Sequence, residues 1–127
     1  MVEEDRELRL RYAFALSRPG YDVDVAEDGA AGWEALRAKN YHLVITENDL
    51  PKLTGVDLVK RLRAARMPVP MVMAAGKLPT DELAQNPPLR AAATLAMPFP
   101  VESLLAAVRK ILSTPDDPRE PNKPPPQ

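Results

Sequence analysis

Tyr41-His42-Leu43-Val44-Ile45-Thr46-Glu47-Asn48-Asp49-Leu50-Pro51-Lys52-Leu53-Thr54-Gly55 is the stretch whose reading decides the fold. Leu43, Val44 and Ile45 form a short, continuous apolar run with β-branched members, the pattern of a strand buried on both faces of a sheet. The run gives out at Glu47, a carboxylate at the strand's end. Pro51 and Gly55 then shape a loop before a helical pattern opens at Val56. In an open α/β sheet, ligands and chemistry gather at the carboxyl ends of strands, which makes Glu47 the first candidate site residue.

Toward the carboxyl end, Val56, Val59 and Leu62 mark a helix whose Lys60, Arg61 and Arg63 read as a solvated face. Residues 69–75 form the next buried strand, with Pro68 and Pro70 confined to its start, where a missing N–H is tolerable. After Gly76 the pattern is least regular: Thr80-Asp81-Glu82-Leu83 begins a short helix that Pro87 and Pro88 close. A strand over residues 92–97 and a helix carrying Val101, Leu104, Leu105, Val108 and Leu112 follow. Toward the amino end, Asp28-Gly29 turns into a helix with Trp33 and Leu36. Gly32 inside it costs up to about 1 kcal/mol of helix propensity, which close packing against the sheet would offset. Residues 21–26 alternate polar and apolar, a strand with one polar face near a sheet edge. Leu8, Tyr12, Ala15 and Leu16 mark a first helix that Pro19-Gly20 ends. Alternating strands and helices predict a doubly wound, parallel, five-stranded sheet flanked by helices, its first strand truncated to Val2. Neighbouring strands would then carry unpaired backbone groups. Lower stability, or a strand borrowed from another copy in a homodimer, is the expected consequence.

Composition excludes several function classes. The 127 residues suffice for one domain with a real core, and 45% apolar with 28% charged residues is ordinary globular composition. Lys and Arg number 17 against 18 for Asp and Glu, so no basic field for nucleic acid is built. There is no cysteine for a disulfide or a thiolate metal site. No apolar run approaches the roughly 18 residues of a membrane span, and the acidic N-terminus is unlike a secretion signal. A cytoplasmic protein without membrane or nucleic-acid contact is the expectation. Residues 113–127 are dense in proline and lack large apolar side chains, which predicts a disordered tail after a domain over residues 1–112.

With Pro51 four residues and Gly55 eight residues beyond position 47, the layout resembles the receiver domain of two-component response regulators. The resemblance implies a phosphoacceptor position at Glu47, where the family has Asp. It also implies an acidic, Mg²⁺-binding pocket over Glu3, Glu4 and Glu47, with Asp49 offering its carbonyl. The family's hydroxyl after the fourth strand falls on Ala75, its lysine on Met97 before Pro98, and its switch aromatic on Thr94. Glutamate carries its oxygen about 1.5 Å further out, and neither Ala75 nor Met97 can donate a hydrogen bond to a phosphoryl oxygen. Met97-Pro98 matches a peptide bond that is usually cis in the family.

Two readings of each residue stand side by side. Glu47 is a built-in mimic of the phosphorylated state or a vestigial carboxylate. Glu3, Glu4 and Asp5 bind Mg²⁺ or simply favour a helix N-terminus. Asp49 is a displaced acceptor or a turn former. His42, the one histidine, is a surface residue at the start of its strand. The favoured reading is a stand-alone, degenerate receiver that is not an enzyme and works by binding protein partners, a histidine kinase or a downstream signalling protein, without being phosphorylated. Its rival is an active receiver phosphorylated by a histidine kinase at Glu47 or a neighbouring carboxylate with Mg²⁺. A small α/β enzyme of another class lacks both a Gly-rich phosphate loop and a nucleophile–base pair.

Overall fold

The computed structural model describes residues 1–85 and 91–113. Five helices, α1 (Arg6–Ser17), α2 (Gly29–Ala38), α3 (Gly55–Ala64), α4 (Thr80–Gln85) and α5 (Val101–Leu112), alternate with three strands after the first helix pair. The strands are β1 (Val44–Glu47), β2 (Met71–Ala75) and β3 (Ala93–Ala96), all parallel in the order β1-β2-β3. Side-chain caps set three helix starts: Asp5 accepts from the Leu8 N–H at 3.1 Å, Asp28 from Ala31 at 2.7 Å and Thr54 from Asp57 at 3.1 Å.

Every residue of β2 is buried, as a central strand covered on both faces requires. Successive β1 residues serve opposite layers. Val44 packs with Leu36, Leu58 and Leu62 of α2 and α3, while Ile45 packs with Tyr12, Leu16, Leu104 and Val108 of α1 and α5. This is the doubly wound arrangement. Gly32 lets α2 press onto the sheet: a Cβ there would lie 2.8 Å from Cγ2 of Val2.

The parallel, doubly wound sheet is as expected, with its first strand reduced to Val2, and the part corrected is the strand expected over residues 21–26. Val2 alone bridges Ala26 on one side and Thr46 on the other, both in parallel. Residues 21–26 form no strand beyond that single bridge at Ala26. Only residues 1–3 lie extended beside this segment, and Asp5 caps α1 directly after them. What is extended is fully used. Met1 accepts from Ala26 N–H at 2.9 Å, Val2 donates to Ile45 at 2.8 Å and accepts from Glu47 at 3.1 Å, and Glu3 donates to Ala26 at 3.0 Å. The positions of Pro87, Pro88 and residues 114–127 lie outside the described residues. Among the described helices none is long and apolar enough to cross a membrane.

Candidate functional site

The carboxyl edge of the sheet gathers most of the sequence-flagged residues by register alone. Glu47 ends β1 opposite Ala74, and Ala75 ends β2 opposite Ala96. The Glu47 N–H donates to Val2, the residue before Glu3, and the Met97 N–H donates to Ala75 at 2.8 Å. Glu3, Glu47, Ala75 and Met97 therefore share one edge. Met97-Pro98 is cis, as the resemblance implies.

Glu3 is a buried acid, only 3% exposed. One of its carboxyl oxygens accepts the Asp5 N–H at 3.0 Å, and its carbonyl accepts from Nη1 of Arg9 at 2.9 Å. Beside it, Oε1 of Glu47 is buried and has no hydrogen-bond partner. Burial first, then hydrogen bonding and charge from Glu3, then Asp49 and Glu4, push the Glu47 carboxyl up to about 8. The Glu47 carboxyl therefore keeps its proton at neutral pH.

In the rest of the expected acidic pocket, Glu4 and Asp49 are exposed yet near enough for their charges to act on Glu47, and Asp5 is turned to cap α1. Among the described residues, no three His, Cys, Asp or Glu side chains are placed to hold a metal ion. A divalent ion needs several converging oxygens, so the side chains as arranged fit a proton better than Mg²⁺. Ala75 is fully buried, whereas Thr94 is exposed on β3 opposite Met73. A methyl at Ala75 and a thioether at Met97 leave the edge without a hydroxyl or ammonium donor at these two positions.

Three features of the site escape sequence reading. Asn48 pins the loop: its side chain accepts from Val56 N–H at 3.0 Å, and its carbonyl accepts from Leu50 and Gly55 at 2.9 and 3.0 Å. Asn in a turn was the available signal. Lys52, at φ 70, pairs with Asp28 at 3.5 Å across the loop. Tyr12 stacks on Phe99 with ring centroids 5.2 Å apart, and burial, with Glu3 next, holds its phenol above the usual value. Both pairs join segments distant in sequence, and no local pattern announces them.

A parallel sheet wound on both faces, with an acid at the end of β1 and a cis proline after β3, defines a receiver architecture. The model of the response regulator receiver domain matches residues 1–109, and the chain belongs to that family of two-component signalling domains. The transcriptional regulatory protein DltR of Streptococcus agalactiae is 31% identical over 109 residues, covering 86% of this chain and 49% of the relative. CusR of Escherichia coli is 29% identical over 112 residues, 88% of this chain and 49% of its own length. The chain thus spans about half the length of these curated relatives. In structure it resembles the receiver domain of Francisella response regulator 1452 (TM-score 0.79, 21% identity, 87% of this chain and 91% of that one). The chemotaxis regulator CheY4 of Vibrio cholerae is similarly close (TM-score 0.78, 22% identity, 87% and 93%). At these identities the structural neighbours establish the fold alone.

Proposed function

We propose that this receiver is degenerate: it signals through protein binding and does not run an acyl-phosphate cycle. The observation that carries the reading is half-buried Glu47 beside buried Glu3, with Oε1 of Glu47 unpartnered. Phosphoryl transfer to a carboxylate needs an ionised, accessible oxygen and fixed positive charge around the incoming group. Here the acceptor carboxyl holds a proton, its neighbour is another acid, and Ala75 and Met97 supply neither hydroxyl nor ammonium. Removing one such donor typically costs about 3 kcal/mol or more of transition-state stabilisation.

The partner in this reading is a histidine kinase or a downstream signalling protein. It docks on the face of α4, β3 and α5, where exposed Thr94 stands in place of the family's switch ring. Intact-mass spectrometry after incubation with acetyl phosphate and Mg²⁺ tests the reading. The expected result is unmodified protein, and a phosphoryl adduct mapping to Glu47 or Asp49 would overturn it in favour of an active receiver.

A further inference from the structure

α2 and α3 pack together over the β1 side of the sheet, and the surface they share is centred on Trp33, the one tryptophan in the chain. Trp33 is half-buried, with part of its ring seated against the cluster that holds Leu36, Leu58 and Leu62. The rest of the ring carries two cations. Cζ of Arg37, one turn further along α2, lies 5.8 Å from the ring centroid, and Cζ of Arg61, reaching across from α3, lies 5.9 Å from it. A guanidinium over an aromatic ring uses its flat face for the contact and leaves its in-plane N–H groups to point elsewhere. One anchored ring therefore holds two hydrogen-bonding forks from two helices.

The charge at this spot is not balanced. Arg37 donates to Glu34 at 3.2 Å, but both side chains are largely in solvent, 56% and 70% exposed, where such a pair contributes little. Arg61 has no acid within ion-pair distance among the described residues, although Asp57 stands one turn before it on α3. Exposed Lys60 adds a third cation beside them. The chain as a whole is slightly acidic, so this is a local positive spot and not a general field. Its shoulders are small: Ala30, three residues before Trp33, and Ala64, three residues after Arg61, are both exposed and let another main chain come close. A rigid aromatic flanked by arginines is the composition of an interface hot spot.

We propose that Trp33, Arg37 and Arg61 form a docking site for an acidic segment of a partner protein, whose carboxylates seat on the two guanidinium forks. Carboxylates meet those forks as they stand, in paired N–H to oxygen bonds. A nucleotide is the poorer fit, because its base would have to displace the guanidiniums to stack on the ring. Stacking on Trp33 holds both forks in place beforehand, so less side-chain freedom is lost on binding. The site lies apart from Glu47, Ala75 and Met97, and from the face of α4, β3 and α5. Its occupation is therefore independent of whether the carboxyl edge takes a phosphoryl group.

Because Trp33 is the one tryptophan, its fluorescence reports on this site alone. The probe is a synthetic Glu-Asp-Leu-Glu-Glu-Asp-Leu-Glu peptide titrated into the full chain at low salt. Expected is a saturable change in Trp33 emission whose apparent affinity weakens as salt is raised. Replacing both cations, Arg37→Gln with Arg61→Gln, should weaken binding roughly tenfold or more. Arg61→Lys keeps the charge but loses the planar fork, and should fall between the parent and the double variant. No saturable change at millimolar peptide, the same affinity in the double variant, or equal binding of a peptide with Gln and Asn in place of its acids would each overturn the proposal. A response to ATP without one to the peptide would also overturn it, in favour of a nucleotide site.

Discussion

The two ends of the sheet are built in opposite ways. At the carboxyl edge, backbone groups are satisfied: Val2, Glu47, Asn48, Ala75 and Met97 interlock across the strands, and Gly55 lies tight against the Glu47 carbonyl. What remains unpaired there is a side-chain oxygen, Oε1 of Glu47. At the amino edge the polar side chains find partners, as Asp24 does with Lys39 and Tyr41. An unpaired acid answers to protons, whereas a paired one holds its surroundings in place. The difference assigns chemistry-like behaviour to the carboxyl end and a structural role to the Asp24 cluster.

The tightness of the carboxyl edge is the easiest feature to break. A Cβ at Gly55 would sit 2.6 Å from the Glu47 carbonyl and 2.9 Å from Cα of Asn48, backbone that cannot move aside cheaply. Gly55→Ala is expected to destabilise by about 2–4 kcal/mol, the largest effect of this set, measured by urea unfolding. A loss under about 0.5 kcal/mol would show that the loop around Asn48 is loosely held.

Glu47→Gln should act in the other direction. The folded-state pKa of Glu47 is raised, so the native state binds more protons than the unfolded state between the ordinary carboxylate range and about 8. Its contribution is therefore most favourable at low pH and is lost as pH rises through about 8. From pH 5.5 to pH 8.5 the Glu47 contribution falls, while the Met1 amino group, lowered by burial to about 6, contributes stability that rises over the same window, so the test is the difference between the parent and Glu47→Gln. Glu47→Gln should turn the pH slope toward rising stability and add about 1–2 kcal/mol at pH 8, after discounting for partial solvent access. A slope unchanged by the substitution would mean that another group drives it.

Val2→Ala tests the strand remnant, which is 4% exposed and packs on Gly32. A loss of about 1–2 kcal/mol is expected, with faster exchange at Glu47, whose N–H the Val2 carbonyl receives. The smallest effect belongs to the Asp24 cluster with Lys39 and Tyr41. Tyr41→Phe removes the hydrogen bond to Asp24 and should lower the melting temperature only slightly, while bringing the Asp24 carboxyl up toward its ordinary value. An Asp24 titration unmoved in this variant would leave Lys39 as its main partner.

How far the sequence could be read follows from the same contrast. The helices were legible because their periodicity and caps are local: Asp28 and Thr54 stand where α2 and α3 begin. β1 and β2 were legible because a run buried on both faces needs only its own composition. Residues 21–26 misled, since their alternation is a genuine strand pattern, but pairing depends on a neighbour, and Ala26 alone is bridged, by Val2. At the site, position 47 and its partners at 75 and 97 follow from the resemblance to the receiver pattern. That Glu3 is buried against Glu47 while Glu4 and Asp49 face solvent does not, because adjacent acids read alike until the cap at Asp5 fixes which way each points. The Tyr12–Phe99 stack joins α1 to the segment after β3, and no window of sequence contains both.

The central claim, that the carboxyl edge holds a proton where an active receiver would take a phosphoryl group, is tested most directly by amide NMR. Mg²⁺ is titrated first and beryllofluoride, the stand-in for a bound phosphoryl group, second. The account predicts that neither ligand at millimolar concentration shifts the amides of Glu3, Glu47 or Asn48. A saturable Mg²⁺ shift there, followed by a second change with beryllofluoride that reaches Thr94 and α5, would contradict it and mark a working phosphorylation site.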